Sequence, residues 1–282
     1  MVRTAFRQFC IALGWLLAAG LTSAQAVKSE LIEVDLGRTE GLFVKSPVHM
    51  RAIALSSATK PPSDVALLYF RGWPGIAQIK EASDWKLRWN LNFFYKALDH
   101  VLDQDITLVL MDCPTDEWGL NGRNPTRCND DYRSSRQYAD EVRQVMAQLR
   151  SKMGIRKFFI LGHSYGTISS RWLAIHLGDE IAGSIHSASM TGPAGGVSSQ
   201  YGVSHSRIDM RKAKAPYTYL HNADDQCRGT SFAAIQAIAG EKLIVLQGGG
   251  TTGDVCGGKH YHSYEDRELE AAQAVVNWMR AQ

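Results

Sequence analysis

The stretch FFILGHSYGTISS, residues 158–170, sets Ser164 between Gly162 and Gly166. With Lys157 before it, KFFIL (157–161) is the apolar run of a strand. TISSRWLAIHL (167–177) then carries helical spacing through Ile168, Trp172 and Ile175. Strand, sharp turn and helix form the setting in which a serine stands exposed on a strained elbow as a nucleophile. The two glycines have a physical reason there. A serine forced to an unfavourable backbone angle brings the residues two places either side too close for side chains. The chain holds 25 glycines, so the short Gly-x-Ser-x-Gly pattern alone decides nothing, and its surroundings must carry the reading.

Outward from the elbow, DVALLYF (64–70), DITLVLM (105–111), IAGSIHS (181–187), YTYLH (217–221) and KLIVL (242–246) are near-continuous apolar runs. Such runs suit strands covered on both faces, as in parallel sheets. Between them Leu87, Leu91, Phe94, Leu98 and Val101 step by threes and fours, as do Tyr138, Val142, Val145 and Leu149. A last helix is expected from about Asp266 to Met279. Near the start, LIEVDLG (31–37) and HMRAIAL (49–55) are short, partly alternating and suited to an antiparallel pair at a sheet edge. The pattern predicts an α/β fold: a mostly parallel sheet, helices on both faces and an antiparallel N-terminal edge. With no repeat or Pro-rich linker, residues 27–282 are expected to form a single domain. Two connections, 112–133 and 188–215, are longer than ordinary loops.

Residues 1–26 have the features of a signal peptide. Arg3 and Arg7 precede the apolar FCIALGWLLAAGL, and AQA (24–26) offers small residues for cleavage. The apolar core is too short for a membrane span, and no later run is long enough, so an exported protein, periplasmic or secreted, is expected. Without this segment the balance of 31 basic and 28 acidic residues becomes 29 against 28. That near-neutral charge gives no electrostatic case for nucleic acid or an anionic membrane surface. Cys113, Cys128, Cys227 and Cys256 remain, and an even number in an exported chain favours disulfides. Three pairings are open. Cys113 and Cys128 bracket most of the first long loop, which favours joining them.

A serine needs a base, and the base an orienting acid. YTYLHNADDQC runs from a strand into Asp224 and Asp225, and GGKHYHSYEDRELEAA puts His260 and His262 between the last strand and the last helix. Groups at the carboxyl ends of neighbouring parallel strands converge on one crevice. Other signals are weaker. GDVCGGKH (253–260) has phosphate-loop spacing but ends in His260 where a hydroxyl would hold Mg²⁺. The His260 and His262 pair lacks a third metal ligand at recognisable spacing. Pro125 removes a glycosylation site at Asn124. Trp85 and Trp89 read as helix packing, and His49, His100, His163, His176, His186, His205 and His221 as structural residues.

From about residue 30 to the C-terminus the chain resembles the α/β-hydrolase superfamily in its order Ser…Asp…His. LHNADDQC is similar to that family's His-Gly-x-x-Asp segment, with Asn222 in the glycine place, which implies Asp225 as the acid. HSYEDRE is similar to the His-Gly-Phe-x-Gly-x-Glu end of some exported members and selects His262. YFRGWPG (69–75) resembles the family's oxyanion loop, with Arg71 in the histidine place and Trp73 in the second glycine place. The resemblance implies backbone donors at Tyr165 and Trp73, since Pro74 has no N–H. Arg71 either braces this loop or meets an acidic substrate group. A Cys227–Cys256 bond would clamp the acid loop to the base loop.

The implied function is an exported serine hydrolase that cleaves a carboxylic ester without a cofactor. Between the sixth strand and the seventh, where a helical cap is often inserted, the residues are few and mostly small and polar, so no large cap domain is expected. Its partner would be a small-molecule or peptide acyl substrate, with no nucleic acid and no membrane span after signal cleavage. The alternatives are an amide or peptide hydrolase on the same triad, a non-catalytic binding protein that keeps the fold, and a redox protein built on Cys227 and Cys256.

Overall fold

A computed structural model describes residues 26–88, 93–119, 128–192 and 208–282, with the side chains of 87 and 88 excepted. Apart from Ala26, the signal segment lies outside the described residues. So do Trp89 and Leu91, the middle of the first long loop with the Asn124 to Thr126 triplet, and residues 193–207 with His205.

The described residues build one eight-stranded sheet in the order β1-β2-β4-β3-β5-β6-β7-β8. Its strands are β1 (Val27–Glu40), β2 (Ser46–Ser57), β3 (Val65–Phe70), β4 (Thr107–Met111), β5 (Lys157–His163), β6 (Gly183–Ser187), β7 (Tyr217–Asn222) and β8 (Leu243–Leu246). β1 pairs antiparallel with β2, and β2 antiparallel with β4. From β4 across to β8 every pairing is parallel. The edge pair is longer than the expected 31–37 and 49–55. Polar residues flank the apolar stretches, yet backbone pairing carries the hairpin from Val27↔Ser57 to Glu40↔Ser46, through an irregularity between Asp35 and Thr39.

Alternate side chains of the central strands enter different cores, so apolar runs in the sequence become two layers. On one face Leu67, Tyr69, Leu108, Leu110, Phe159 and Leu161 pack under α8 (Glu268–Arg280) and a broken helical segment. On the other, Leu68, Phe70, Val109 and Ile160 pack under α5 (Arg136–Met153) and α6 (Gly166–Leu177). Each buried aliphatic chain contributes about 1.5–3 kcal/mol relative to exposure. α5 starts where the Ser135 hydroxyl accepts from the Tyr138 N–H and ends at Gly154, in the left-handed region. Its buried face includes Tyr138, Val142, Val145 and Leu149, as the spacing predicts.

Two helical readings need correction. The stripe Leu87 to Val101 is not one helix: the described pieces are α1 (Trp85–Arg88), α2 (Phe93–Lys96) and α3 (Leu98–Leu102), with Ala97 out of helical geometry before α3. Phe94, Leu98 and Val101 still reach the core from these short pieces, and Trp85 packs there too. In α6 the stripe Ile168, Trp172, Ile175 is only part of the buried surface. Ile168, Leu173, Ala174 and Leu177 are buried while Trp172 and Ile175 are half-buried, because this helix is covered on several sides and its polar Ser169, Ser170 and Arg171 are buried as well. The remaining helices are α4 (Asp130–Arg133) and α7 (Phe232–Ala239).

Among the described residues no large cap domain covers the sheet. Among the described residues no helix is long and apolar enough to cross a membrane.

Candidate active site

The parallel register lines up the carboxyl ends that matter. Phe70 of β3 lies opposite Gly162 of β5, His163 opposite Ser187 of β6, and Ser187 opposite Leu220 of β7. Loop 71–75, Ser164 and the Asp224–Asp225 turn therefore leave the sheet side by side.

Ser164 has φ +53°, a left-handed angle costly for a residue with a Cβ. Its N–H donates to the Ser187 carbonyl at 2.9 Å, and its own carbonyl accepts from the Thr167 N–H (2.9 Å) and hydroxyl (2.6 Å). These bonds hold the turn while α6 begins at Gly166. A Cβ on Gly166 would stand 2.0 Å from the Phe70 carbonyl oxygen, and one on Gly162 would stand 2.4 Å from the Gly166 oxygen. Backbone cannot swing aside as a side chain can. Gly166→Ala is therefore expected to cost about 3 kcal/mol through overpacking. Thermal denaturation checks this, and an unchanged melting temperature would refute the packing of elbow against β3.

Asp225 and His262 are in contact. His262 Nδ1 lies 3.0 Å from Asp225 Oδ2, and both side chains are buried. The carboxylate also accepts from the Cys227 N–H (2.9 Å) and the Thr230 hydroxyl (2.9 Å). Burial pushes the Asp225 carboxyl upward, but the neighbouring His221 and His262 and the Cys227 N–H outweigh it and hold it well below the usual carboxylate range. Nδ1–H donation to this carboxylate leaves His262 Nε2 as the acceptor nitrogen, a tautomer assigned from the hydrogen bond. Neither neighbouring candidate joins this pair. Asp224 accepts from the Gly248 N–H at 2.9 Å, and the buried His260 has no partner for Nδ1 among the described residues. Asn222 braces the turn, accepting from the Asp224 N–H and donating to the Gly248 carbonyl.

His163 joins the two halves. Its ring stands 5.2 Å from that of His262, centre to centre, and directly precedes Ser164. Among the described residues the Ser164 hydroxyl makes no hydrogen bond, and none joins it to His262. Such a contact is commonly loose until a substrate arrives. Burial, aided by His262, pushes His163 well below the ordinary imidazole value, so it stays neutral. Tyr264 donates to the Leu220 carbonyl (2.9 Å), Ser187 to Tyr264 (2.9 Å), and His163 Nδ1–H to Ser187 (3.0 Å). That chain fixes the ring on which His262 rests.

The loop after β3 lies against the elbow. A Cβ on Gly72 would stand 3.2 Å from the Ser164 Cβ, and the exposed Trp73 ring packs 5.5 Å from Tyr165. Buried Asp112 anchors the following residues by accepting from the Ala77 and Ile79 N–H groups, each at 2.8 Å. Arg71 reaches the Ile76 carbonyl at 3.5 Å, a bracing contact. Arg133, wholly buried, donates to the Gly75 carbonyl, the Cys128 carbonyl and the Ser169 hydroxyl, tying this loop to the next one and to α6. Sequence reasoning missed His163, His221, Thr230 and Arg133. His221 Nε2 stands 3.3 Å from Asp225 Oδ2, close enough to act on its charge though misaligned as a hydrogen bond. Its place on β7, facing the following turn, is the only signal that could have singled it out.

Disulfides join Cys113 to Cys128 and Cys227 to Cys256. The second ties the turn after Asp225 to the segment before His262, closing a separation of 29 residues. Cys256→Ser is expected to cost about 3–4 kcal/mol on the loop-entropy account. Urea unfolding of the oxidised protein checks this, and a loss under about 1 kcal/mol would mean the two loops hold together without it.

No family model matches the chain, and no curated protein matches it in sequence. Solved structures do. Est1E from Butyrivibrio proteoclasticus aligns at a TM-score of 0.56 with 11% identity, over 83% of this chain and 94% of its own. A cold-adapted esterase from an Arctic intertidal metagenomic library gives 0.52 and 13%, over 90% and 94%. An α/β serine hydrolase without a lid from Xanthomonas campestris gives 0.53 and 16%, over 90% and 97%. Strand order, parallel register and these likenesses agree: the protein has the α/β-hydrolase fold.

Proposed function

We propose that the chain is an exported serine hydrolase that cleaves a carboxylic ester through Ser164, His262 and Asp225. Ser164 Oγ attacks the acyl carbonyl as His262 Nε2 takes its proton, and Asp225 holds the imidazole and offsets its charge. The N–H groups of Tyr165 and Trp73 receive the developing oxyanion. His262 then gives the proton to the departing alkoxide. Water enters by the same route, and the acid leaves with Ser164 restored.

The observation that carries this reading is the buried 3.0 Å pair of Asp225 and His262, with the imidazole 5.2 Å from the ring of His163, the residue before a serine at positive φ. Two features favour an ester over an amide or peptide. Among the described residues no large cap domain lies over the sheet, and the similar folds include an esterase and a serine hydrolase without a lid. Export is supported by the signal pattern of residues 1–26 and by two disulfides, which persist in oxidising compartments.

Fluorophosphonate labelling read by intact mass and peptide mapping tests the proposal. Stoichiometric label on Ser164, lost in His262→Ala, is expected. An unlabelled, well-folded protein would refute the activated serine and leave a binding protein on this fold.

A further inference from the structure

Two buried arginines stand apart in this chain. The guanidinium of Arg133 is spent on carbonyls and a hydroxyl. Arg171, on α6, is 4% exposed, and its Nη1 donates to the Met190 carbonyl at 3.1 Å. The Tyr219 side chain is its other hydrogen-bonding neighbour, with the ring centre 6.0 Å from the guanidinium carbon. Among the described residues its buried Nε has no partner and no carboxylate pairs with it. Burying a guanidinium without a counter-charge is expensive, and buried cations are normally paired.

Arg171 also lines a cavity of about 400 Å³. Thr191, Tyr217 and Tyr219 bring polar groups to it, while Met210 and Ile238 supply apolar wall. Arg211 at the rim is committed to Asp209 at 2.8 Å, which leaves Arg171 as the cation within. A planar guanidinium with an unpartnered Nε and no counter-charge among the described residues, at the side of a mainly apolar cavity, matches a small organic carboxylate. The acid end would meet the guanidinium, and the hydrocarbon part would fill the remainder.

We propose that this cavity is an accessory binding site for a small aromatic or aliphatic carboxylate, held by Arg171 and separate from the acyl site. Separation follows from the helix: Arg171 is seven residues beyond Ser164, about 10 Å along α6 at 1.5 Å per residue. A short path nevertheless joins the two. Arg171 donates to the Met190 carbonyl, the Met190 N–H to the Thr167 hydroxyl (3.0 Å), and that hydroxyl to the Ser164 carbonyl.

Calorimetric titration of the whole protein with benzoate, and in parallel with the neutral benzamide, tests the site directly. Saturable benzoate binding at least about tenfold tighter than that of benzamide is expected, the factor that one charge-assisted hydrogen bond supplies. Arg171→Met should remove the difference. Ala234→Phe, which fills the cavity without touching the arginine, should weaken benzoate to a similar degree. No benzoate binding to the parent protein, or equal binding to parent and both variants, would overturn the proposal. Fluorophosphonate labelling in saturating benzoate should proceed at its normal rate. Slowed labelling, equal in Arg171→Met, would put the carboxylate at the serine instead and overturn it as well. The titration reads binding alone, so it stands whether or not Ser164 is activated.

Discussion

Substituting Ser164 by alanine is expected to abolish fluorophosphonate labelling and lower kcat/KM on a simple aryl ester by at least about 10⁴-fold. The size follows from what the serine does. The base and its orienting acid can act only through an attached nucleophile, so removing the hydroxyl removes the covalent route. What remains is the weaker assistance of the oxyanion donors to direct attack by water. Stability should change little or improve, because Ser164 sits at φ +53° in a half-buried position where its hydroxyl makes no hydrogen bond among the described residues. A steady-state assay beside a urea melt separates the two effects. An alanine variant retaining more than a few per cent of activity would place the chemistry elsewhere.

Asp225→Asn carries the second largest expectation, a fall in kcat of about 10⁴-fold at neutral pH with folding preserved. An amide in this place can donate to His262 Nδ1, turning the imidazole so that Nε2 holds the proton and cannot accept one. The same substitution tests the electrostatics. The folded-state value of the Asp225 carboxyl lies below its unfolded value. Its contribution to stability is therefore present above the unfolded carboxylate value near 4 and is lost as pH falls through the folded value. Parent and variant should differ by about 2 kcal/mol or more at pH 7 and draw together below about pH 3. Urea unfolding at both pH values checks the sign. A gap that widens on acidification would contradict the assigned charge.

Much of this could be read from residues in a row. KFFIL, DVALLYF and YTYLH are apolar without alternation because both faces of β5, β3 and β7 are covered, and a local pattern is enough to say so. The elbow was legible for the same reason: Gly162 and Gly166 answer to a backbone crowding set within a few residues of Ser164. The stripe from Leu87 to Val101 misled, since spacing registers the buried side that Phe94, Leu98 and Val101 share but not the break at Ala97 between α2 and α3.

By itself the sequence determined the α/β class, the antiparallel edge and the turns on which Ser164, Asp225 and His262 stand, because strand period, glycine crowding and turn chemistry are local. Only the tertiary structure decided between near neighbours. Asp225 meets His262 while Asp224 is drawn to Gly248, and the partners that set the two apart come from loops distant in the chain. His163 beneath His262, His221 beside Asp225, Arg133 under the loop after β3 and Arg171 without a carboxylate among the described residues belong to the same class. Burial and hydrogen-bond partnership are properties of the packed whole, and a lone histidine or arginine in a sequence carries no mark of either.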